Sequence, residues 1–329
     1  MIYKNKRILI TGGNGMIGRS LINELIKKDA NKIYVVSIDK DPKDLPKGVD
    51  FLSLDLTELN NCKIVCEGID YVFHLAGIKG SPKLCEEQPA SFMVPMLMFN
   101  TNMMEAARIG GVKRYLYTSS VGVYHPAPIL KEDDVWKTFP SENDKFAGWT
   151  KRVGELQAEA YQKQYKLGME IRIVRPTNIY GPFDNFHPDY AMVVPSLISR
   201  VDKGENHLYV WGDGTQKRDF MFMDDCAKAM LKVFESDEAR PVNLGFGPPG
   251  NSIKELVDLV IKYSDNKPEV VWDISKPSGD KTRVLDIERI SNLGFKSSTT
   301  LEEGIKKTIK WFKNNKEKYL DRYNVFSKG

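Results

Sequence analysis

The sequence predicts an α/β fold in which a doubly wound parallel sheet is followed by a smaller mixed α/β lobe. Three observations predict it. Short β-branched runs alternate with helical stretches through the first half. Those runs are apolar almost throughout, the pattern of strands covered on both faces. After Gly181 proline and glycine become frequent (GPFDNFHPDY, WGDGTQ, GFGPPGNS) and the alternation loosens. The expected division is residues 1–180 for the sheet and 181–329 for a ligand-cradling lobe, with some later segments crossing back to the main sheet.

The elements follow in order. RILITGG (7–13) reads as the first strand, and SLINELIKK (20–28) has the apolar spacing of a helix packed on it. KIYVVSID (32–39) and YVFHLAG (71–77) read as further strands. MMEAARIGG (103–111) reads as a helix closing on glycine. RYLYTSS (114–120) is a strand, KFAGWTKRVGELQ (145–157) a helix, and EIRIVRPTNIYG (170–181) one more strand. In the second half SIKELVDLVIKY (252–263) is helical, and the basic tail KKTIKWFKNNKEKYLDRY (306–323) reads as a solvated amphipathic helix.

Bulk properties narrow the function. With 329 residues, 41% of them hydrophobic and 28% charged, the chain has the balance of a globular protein with ample core. The net charge of +4 is spread along the chain, so no nucleic-acid partner is expected, although an anionic ligand suits it. No apolar run approaches the roughly 18 residues that span a bilayer, so no membrane partner is expected. MIYKNKRILITGG runs straight into a strand without a cleavable apolar region, which favours a cytoplasmic protein. Cys62, Cys66, Cys85 and Cys226 have neither metal-binding nor redox spacing and are expected as reduced thiols. The four histidines form no HExxH pattern, and no metal is expected.

TGGNGMIG (11–18) follows the first strand and opens a helix that begins with Met16 and Ile17. Gly12 and Gly15 allow a tight turn and close approach to a pyrophosphate, while Gly18 lets helix and strand pack closely. The phosphates then lie at the positive helix N-terminus. Asp39 ends the second strand, where a carboxylate binds the adenosine ribose hydroxyls. Its charge repels the 2′-phosphate of NADP, so NAD is favoured, with Lys40 next door partly offsetting that repulsion. This is the pattern of a Rossmann domain.

Further motifs extend the pattern: DLT (55–57), HLAG (74–77), TSSVGVY (118–124), the Lys151 segment, RPTNIYGP (175–182) and GDGTQKRDF (212–220). In that order they resemble the extended short-chain dehydrogenase/reductases that modify nucleotide sugars, over nearly the whole chain. The resemblance implies that Asp55 and Leu56 flank the adenine and that Leu75, Ala76 and Gly77 line the cofactor groove. It implies further cofactor contacts from Thr118, on the nicotinamide side, and from Lys151, Pro176 and Ile179. Ser120 takes the place of the catalytic serine. Lys79, Ser120, Asn178, Val194, Arg218 and Arg283 are the implied substrate contacts, the two arginines clamping a diphosphate with planar guanidinium groups. A homodimer is also implied. In the second half YGPFDNFHP (180–188), VVP (193–195), WGDGTQKRDF (211–220) and DISKPSGDKTRVLD (273–286) are most similar to the GDP-fucose synthase branch, which points to a GDP-linked sugar of manno type.

The departures are as informative. The family's dehydratases carry an Asp–Glu pair where this chain has Val121 and Gly122. The fucose synthases carry a cysteine and a histidine where it has Gly122 and Met192. None of these replacements moves a proton, so the expected chemistry is redox at sugar carbon 4, with a 4-epimerase as the alternative outcome. Met96 stands where the family often has asparagine, so the helix there is expected to be reshaped. His187 is within reach of the sugar or else structural. One turn before Lys151, Ala147 replaces the family's proton-transferring tyrosine, and Phe146 lies off the shared face. Three readings stay open: an engineered Tyr→Ala variant, a natural enzyme using Tyr124 or a water instead, or a protein that binds without turnover.

Overall fold

The apolar runs pair into a seven-stranded parallel sheet, the architecture expected from their two-sided burial. The computed structural model describes residues 2–42, 44–80, 82–165, 168–187, 190–276 and 279–319. The first half runs β1 (Arg7–Thr11), α1 (Met16–Lys27), β2 (Lys32–Ser37), β3 (Val49–Ser53), α2 (Leu59–Cys66) and β4 (Tyr71–His74). It continues with α3 (Pro82–Glu87), α4 (Pro89–Ile109), β5 (Arg114–Thr118), α5 (Lys145–Gln164) and β6 (Glu170–Pro176). Then come β7 (Asn178–Tyr180), α6 (Val193–Asp202), β8 (His207–Trp211), β9 (Lys217–Arg218), β10 (Phe220–Phe222), α7 (Met223–Glu235) and β11 (Val242–Leu244). The chain ends in β12 (Asn251–Ser252), α8 (Ile253–Tyr263), β13 (Glu269–Asp273), β14 (Thr282–Arg283), α9 (Glu288–Asn292) and α10 (Leu301–Tyr319).

The main sheet has the order β11-β6-β5-β4-β1-β2-β3. Alternate side chains of the inner strands feed two separate cores. On β1, Ile8 and Ile10 join the core built with α1 and α7, whereas Leu9 joins the one built with α2, α4 and α5. β11 returns from the second half to pair with β6. The other strands form the small sheets β10-β7, β12-β9-β14 and β13-β8.

The structure differs from the expected elements in three places. Residues 170–181 are not one strand: β6 ends at Pro176, which has no N–H to donate, and β7 leaves to pair with β10. β3 was not expected at all. It is an edge strand with only intermediate and exposed side chains, so it lacks the apolar signature. α4 runs on through Met96, which is buried, with Pro95 inside the helix beside it. The tail helix is not simply solvated, because Ile305, Ile309 and Phe312 of α10 lie in the main core. Residues 320–323 of that expected helix lie outside the described residues.

Candidate functional site

The strand order reverses between β1 and β4, opening a crevice at the strands' C-terminal ends. The glycine turn forms its floor. Gly12 has φ +65°, and a Cβ there would lie 3.0 Å from the Ala76 backbone, so both conformation and space exclude a side chain. Gly15 is the N-cap of α1, without a capping side chain and without an acidic residue in the first turn. The first N–H groups of α1 therefore have no intrahelical partner, and the positive helix end favours an anion. A Cβ on Gly18 would come within 2.5 Å of Gly13 Cα, so α1 lies directly on the turn. Met16 is buried and Ile17 half-buried behind it.

Asp39, half-buried just past β2, accepts hydrogen bonds from Asn14 Nδ2 (3.0 Å) and Ser37 Oγ (2.8 Å), which tie its carboxylate to the glycine turn. Asp55 is exposed and accepts from the Thr57 N–H (2.9 Å), with Leu56 buried beside it. Leu75, Ala76 and Gly77 follow β4, and the Ala76 N–H donates to Thr11 Oγ1 (3.0 Å).

Sequence reasoning missed His74, whose only signal was an imidazole inside an apolar strand. Its Nδ1 lies 2.8 Å from Thr11 Oγ1, and its Nε2 lies 2.9 Å from Asn100 Oδ1. Complete burial, reinforced by the nearby Lys151 charge, pushes the imidazole down to about 3. His74 is therefore neutral. With the Asn100 oxygen accepting, Nε2 carries the proton and Nδ1 accepts from the Thr11 hydroxyl, which assigns the tautomer from the network. The result is a hydrogen-bonded brace joining β1, β4 and α4 beneath the crevice.

At the other end of the crevice, α5 lies unusually close to β5 and the turn after it. A Cβ on Gly148 would collide with the Gly122 carbonyl, and one on Gly154 with the Tyr117 hydroxyl. This contact brings Lys151 to the end of β5, where Nζ donates to the Thr118 carbonyl (2.8 Å) and lies 5.5 Å from the centroid of the Tyr117 ring. Burial pushes Lys151 down to about 8, against a smaller opposing effect of Glu155. Ser120 Oγ accepts from the Gly122 N–H (3.1 Å), which leaves its hydroxyl proton to donate. Thr118 Oγ1 is buried without a hydrogen-bond partner. Ala147, one turn before Lys151, is half-buried and packs on the same apolar cluster as Ala76, Ile78 and Tyr190.

Tyr124 does not fill the place of the missing phenol. Its buried hydroxyl donates to Asn243 Oδ1 (2.5 Å) and accepts from Arg175 (3.0 Å), and burial raises its pKa well above the ordinary value. Arg175 also pairs with Glu155 (2.6 Å), both groups almost fully buried, and Glu155 accepts from Ser119 Oγ (2.5 Å).

Beyond β6 the site passes to the second half. Pro176 and Ile179 are buried, whereas Asn178 is half-open, its Nδ2 donating to the Asp219 carbonyl (2.9 Å). The Asp219 carboxyl accepts from the N–H groups of Phe246 (2.8 Å) and Gly247 (3.2 Å), and burial raises it to about 6. Arg218 and Arg283 are register partners on the neighbouring strands β9 and β14. Burial, helped by the Arg283 charge, lowers Arg218 to about 10. Arg283 is held between Asp280 (2.5 Å) and Asp144 (2.6 Å), so it is tied to the segment that starts α5.

Two implied substrate contacts have other engagements. The Val194 side chain is buried in the main core, so only its main chain, at the start of α6, is available to a ligand. Lys79 lies 3.9 Å from the buried Asp184. His187 stacks on Tyr190 with centroids 4.5 Å apart. Pro188 and residues 277–278 of the quoted motifs lie outside the described residues. Among the described residues no group of three or more histidine, cysteine or acidic side chains is set to hold a metal, and no helix is long and apolar enough to cross a membrane. All four cysteines are free.

Comparison with known proteins agrees with this geometry. The family model "NAD dependent epimerase/dehydratase family" matches residues 8–245. GDP-mannose 3,5-epimerase of Arabidopsis thaliana is 32% identical over 327 residues, covering 96% of this chain and 84% of that protein. GDP-L-fucose synthase of Escherichia coli (strain K12) is 30% identical over 331 residues, covering 95% and 98%. Epimerase Mth375 of Methanothermobacter thermautotrophicus has the same fold, with a TM-score of 0.86 at 24% identity over 96% of this chain and 94% of that one. The glycine turn that no side chain can enter, the unpartnered helix end and the steered Asp39 carboxylate fit NAD, the cofactor of the matched family. The matched region spans all the main-sheet strands and the Ser120–Lys151 pair, so this chain belongs to the NAD dependent epimerase/dehydratase family and is an enzyme of the extended short-chain dehydrogenase/reductase type.

Proposed function

We propose that the enzyme oxidises carbon 4 of a GDP-linked manno-type hexose or heptose, giving a 4-keto nucleotide sugar; GDP-heptose 4-dehydrogenase is the specific form of this reading. The observation that carries it is the pairing of Arg218 with Arg283 in register, tied through Asp144 to the helix bearing Lys151. Two guanidinium groups side by side match the oxygens of a diphosphate, with the sugar then directed toward Ser120 and Lys151.

In this mechanism the N–H groups at the start of α1 hold the cofactor's pyrophosphate, and Asp39 accepts from its adenosine ribose hydroxyls. NAD, when bound, supplies hydride acceptance. Lys151 donates to the nicotinamide ribose, and the Ser120 hydroxyl donates to the reacting sugar oxygen. Asn178 and the arginine pair hold the phosphates. Gly122 and Met192, with no protons to exchange, favour chemistry that stops at carbon 4 over epimerisation at carbons 3 and 5. With methyl at position 147, turnover is expected to be slow.

Arg218→Ala is expected to raise KM about 10- to 100-fold with little change in kcat, since a lost charge-assisted contact to phosphate weakens binding of ground and transition states alike. Steady-state kinetics check this, and an unchanged KM excludes Arg218 from the clamp. The reaction itself is tested by incubating the Ala147→Tyr protein with NAD and GDP-linked sugars. Accumulating NADH and ketone support the dehydrogenase. An isomeric sugar without net NADH supports the 4-epimerase. Ligand binding without either product supports a non-catalytic binding protein.

We further infer a cytoplasmic homodimer. The support is a pair of neighbouring helices with exposed apolar residues, Val94 and Met98 on α4, Val153 and Leu156 on α5.

A further inference from the structure

The choice between NAD and NADP turns on how the Asp39 carboxylate is held, and the contacts that hold it lead back to a buried arginine on α1. We propose that Arg19 is a positioning residue for that choice: it fixes the Asn14 amide so that Asn14 donates to Asp39, which keeps the carboxylate set for ribose hydroxyls and closed to a 2′-phosphate. The role rests on Asp39 binding the adenosine ribose, as above, and holds whatever the sugar.

An asparagine side chain can turn either end toward a carboxylate, and only its nitrogen binds one. Arg19 decides which end. Its Nη2 donates to Asn14 Oδ1 (2.5 Å) and its Nε to the Asn14 main-chain carbonyl (3.1 Å), so one planar guanidinium grips both oxygens of the same residue. With Oδ1 taken, Nδ2 is turned to Asp39 Oδ2 (3.0 Å) and the Asp41 carbonyl (3.4 Å), which assigns the amide from the network. Ser37 Oγ donates to the same Asp39 Oδ2 (2.8 Å). Among the described residues nothing holds Asp39 Oδ1, the oxygen left for the ribose.

Arg19 is itself pinned. It is buried, as is Asn14. Its Nη1 donates to the Asp44 carbonyl (3.0 Å), in the segment that joins β2 to β3. The Asp44 carboxylate is taken by Lys318 Nζ (2.5 Å) and the Tyr319 hydroxyl (2.5 Å), at the end of α10. Against the guanidinium lies the Phe183 ring, its centroid 4.7 Å from the guanidinium carbon. Phe183 has φ +64°, a left-handed backbone rare for a bulky residue. Its ring packs in turn on Trp311 (4.7 Å) and Tyr319 (5.5 Å). The fork is thus set from several sides, and what it sets is Asn14.

A double-mutant cycle tests the role, read by calorimetry as the dissociation constants of NAD and NADP at one salt concentration, with thermal unfolding confirming that each variant is folded. Arg19→Met keeps an unbranched apolar stem against Phe183 and removes the donors. It should weaken NAD about 10-fold or more, the worth of one hydrogen bond to a charged group, while NADP binds as before or tighter. Asn14→Leu, which leaves Arg19 in place, should narrow the preference in the same way and carries the comparison if Arg19→Met fails to fold. Asp39→Asn alone should also weaken NAD, and adding Arg19→Met to it should change the NAD constant by less than about 2-fold, because nothing is left to position. Equal weakening of NAD and NADP in Arg19→Met, an undiminished loss in the Asp39→Asn background, or an unchanged preference in Asn14→Leu overturns the role of Arg19. An Asp39→Asn protein with the parent's constants overturns the ribose assignment itself, and the role of Arg19 with it.

Discussion

Ala147→Tyr should raise turnover by about 10²- to 10⁴-fold, the usual contribution of a positioned general base. Position 147 lies four residues before Lys151, one turn away on the same helical face. The rest of the site is ready for a phenol. The close contact of Gly148 with Gly122 fixes how near α5 comes to the Ser120 turn, and the Thr118 carbonyl fixes the lysine amine. Lys151, titrating near 8, is largely cationic at neutral pH and would lower the pKa of a phenol beside it. Initial rates with NAD and a GDP-linked sugar, compared between the two proteins, check this. Equal rates in the two proteins would remove position 147 from the proton path.

Glu155→Ala should destabilise the fold by about 3–5 kcal/mol, a large share of the 5–15 kcal/mol that holds a typical domain together. The reason is the partner left behind. Arg175 is almost wholly buried, and without Glu155 its charge would keep only hydrogen bonds to the Tyr124 hydroxyl and the Glu132 carbonyl. Ser119 would lose its acceptor too. These groups join α5, β5 and β6 behind the active crevice, so the loss should also loosen Lys151. Urea denaturation of both proteins measures the difference. A change below about 1 kcal/mol, the scale of exposed pairs, would show that water or another group compensates the arginine.

Local chemistry made much of this molecule legible. The glycine turn, the alternation of runs and helices, and the carboxylate after β2 each report on a few consecutive residues, and the parallel sheet follows from them. What stayed hidden depends on partners distant in sequence. β3 is an edge strand whose VDFLS buries too little to look like one. The run through 170–181 looked continuous because both of its halves are buried, but they are buried in different sheets. The full length of α4 was underestimated because apolar residues all round it blur the helical period. At the site, Ser120, Lys151 and the arginines stood out by resemblance. That Arg218 and Arg283 share a register, or that His74 braces the floor, depended on strands joined only in three dimensions.

The contact between Gly18 and Gly13 has one more consequence. Because neither position tolerates even a methyl group, the start of α1 is locked against β1 before any ligand arrives. A pyrophosphate therefore meets a rigid mould, and capture costs little loss of backbone freedom, so more of the attraction is kept as affinity.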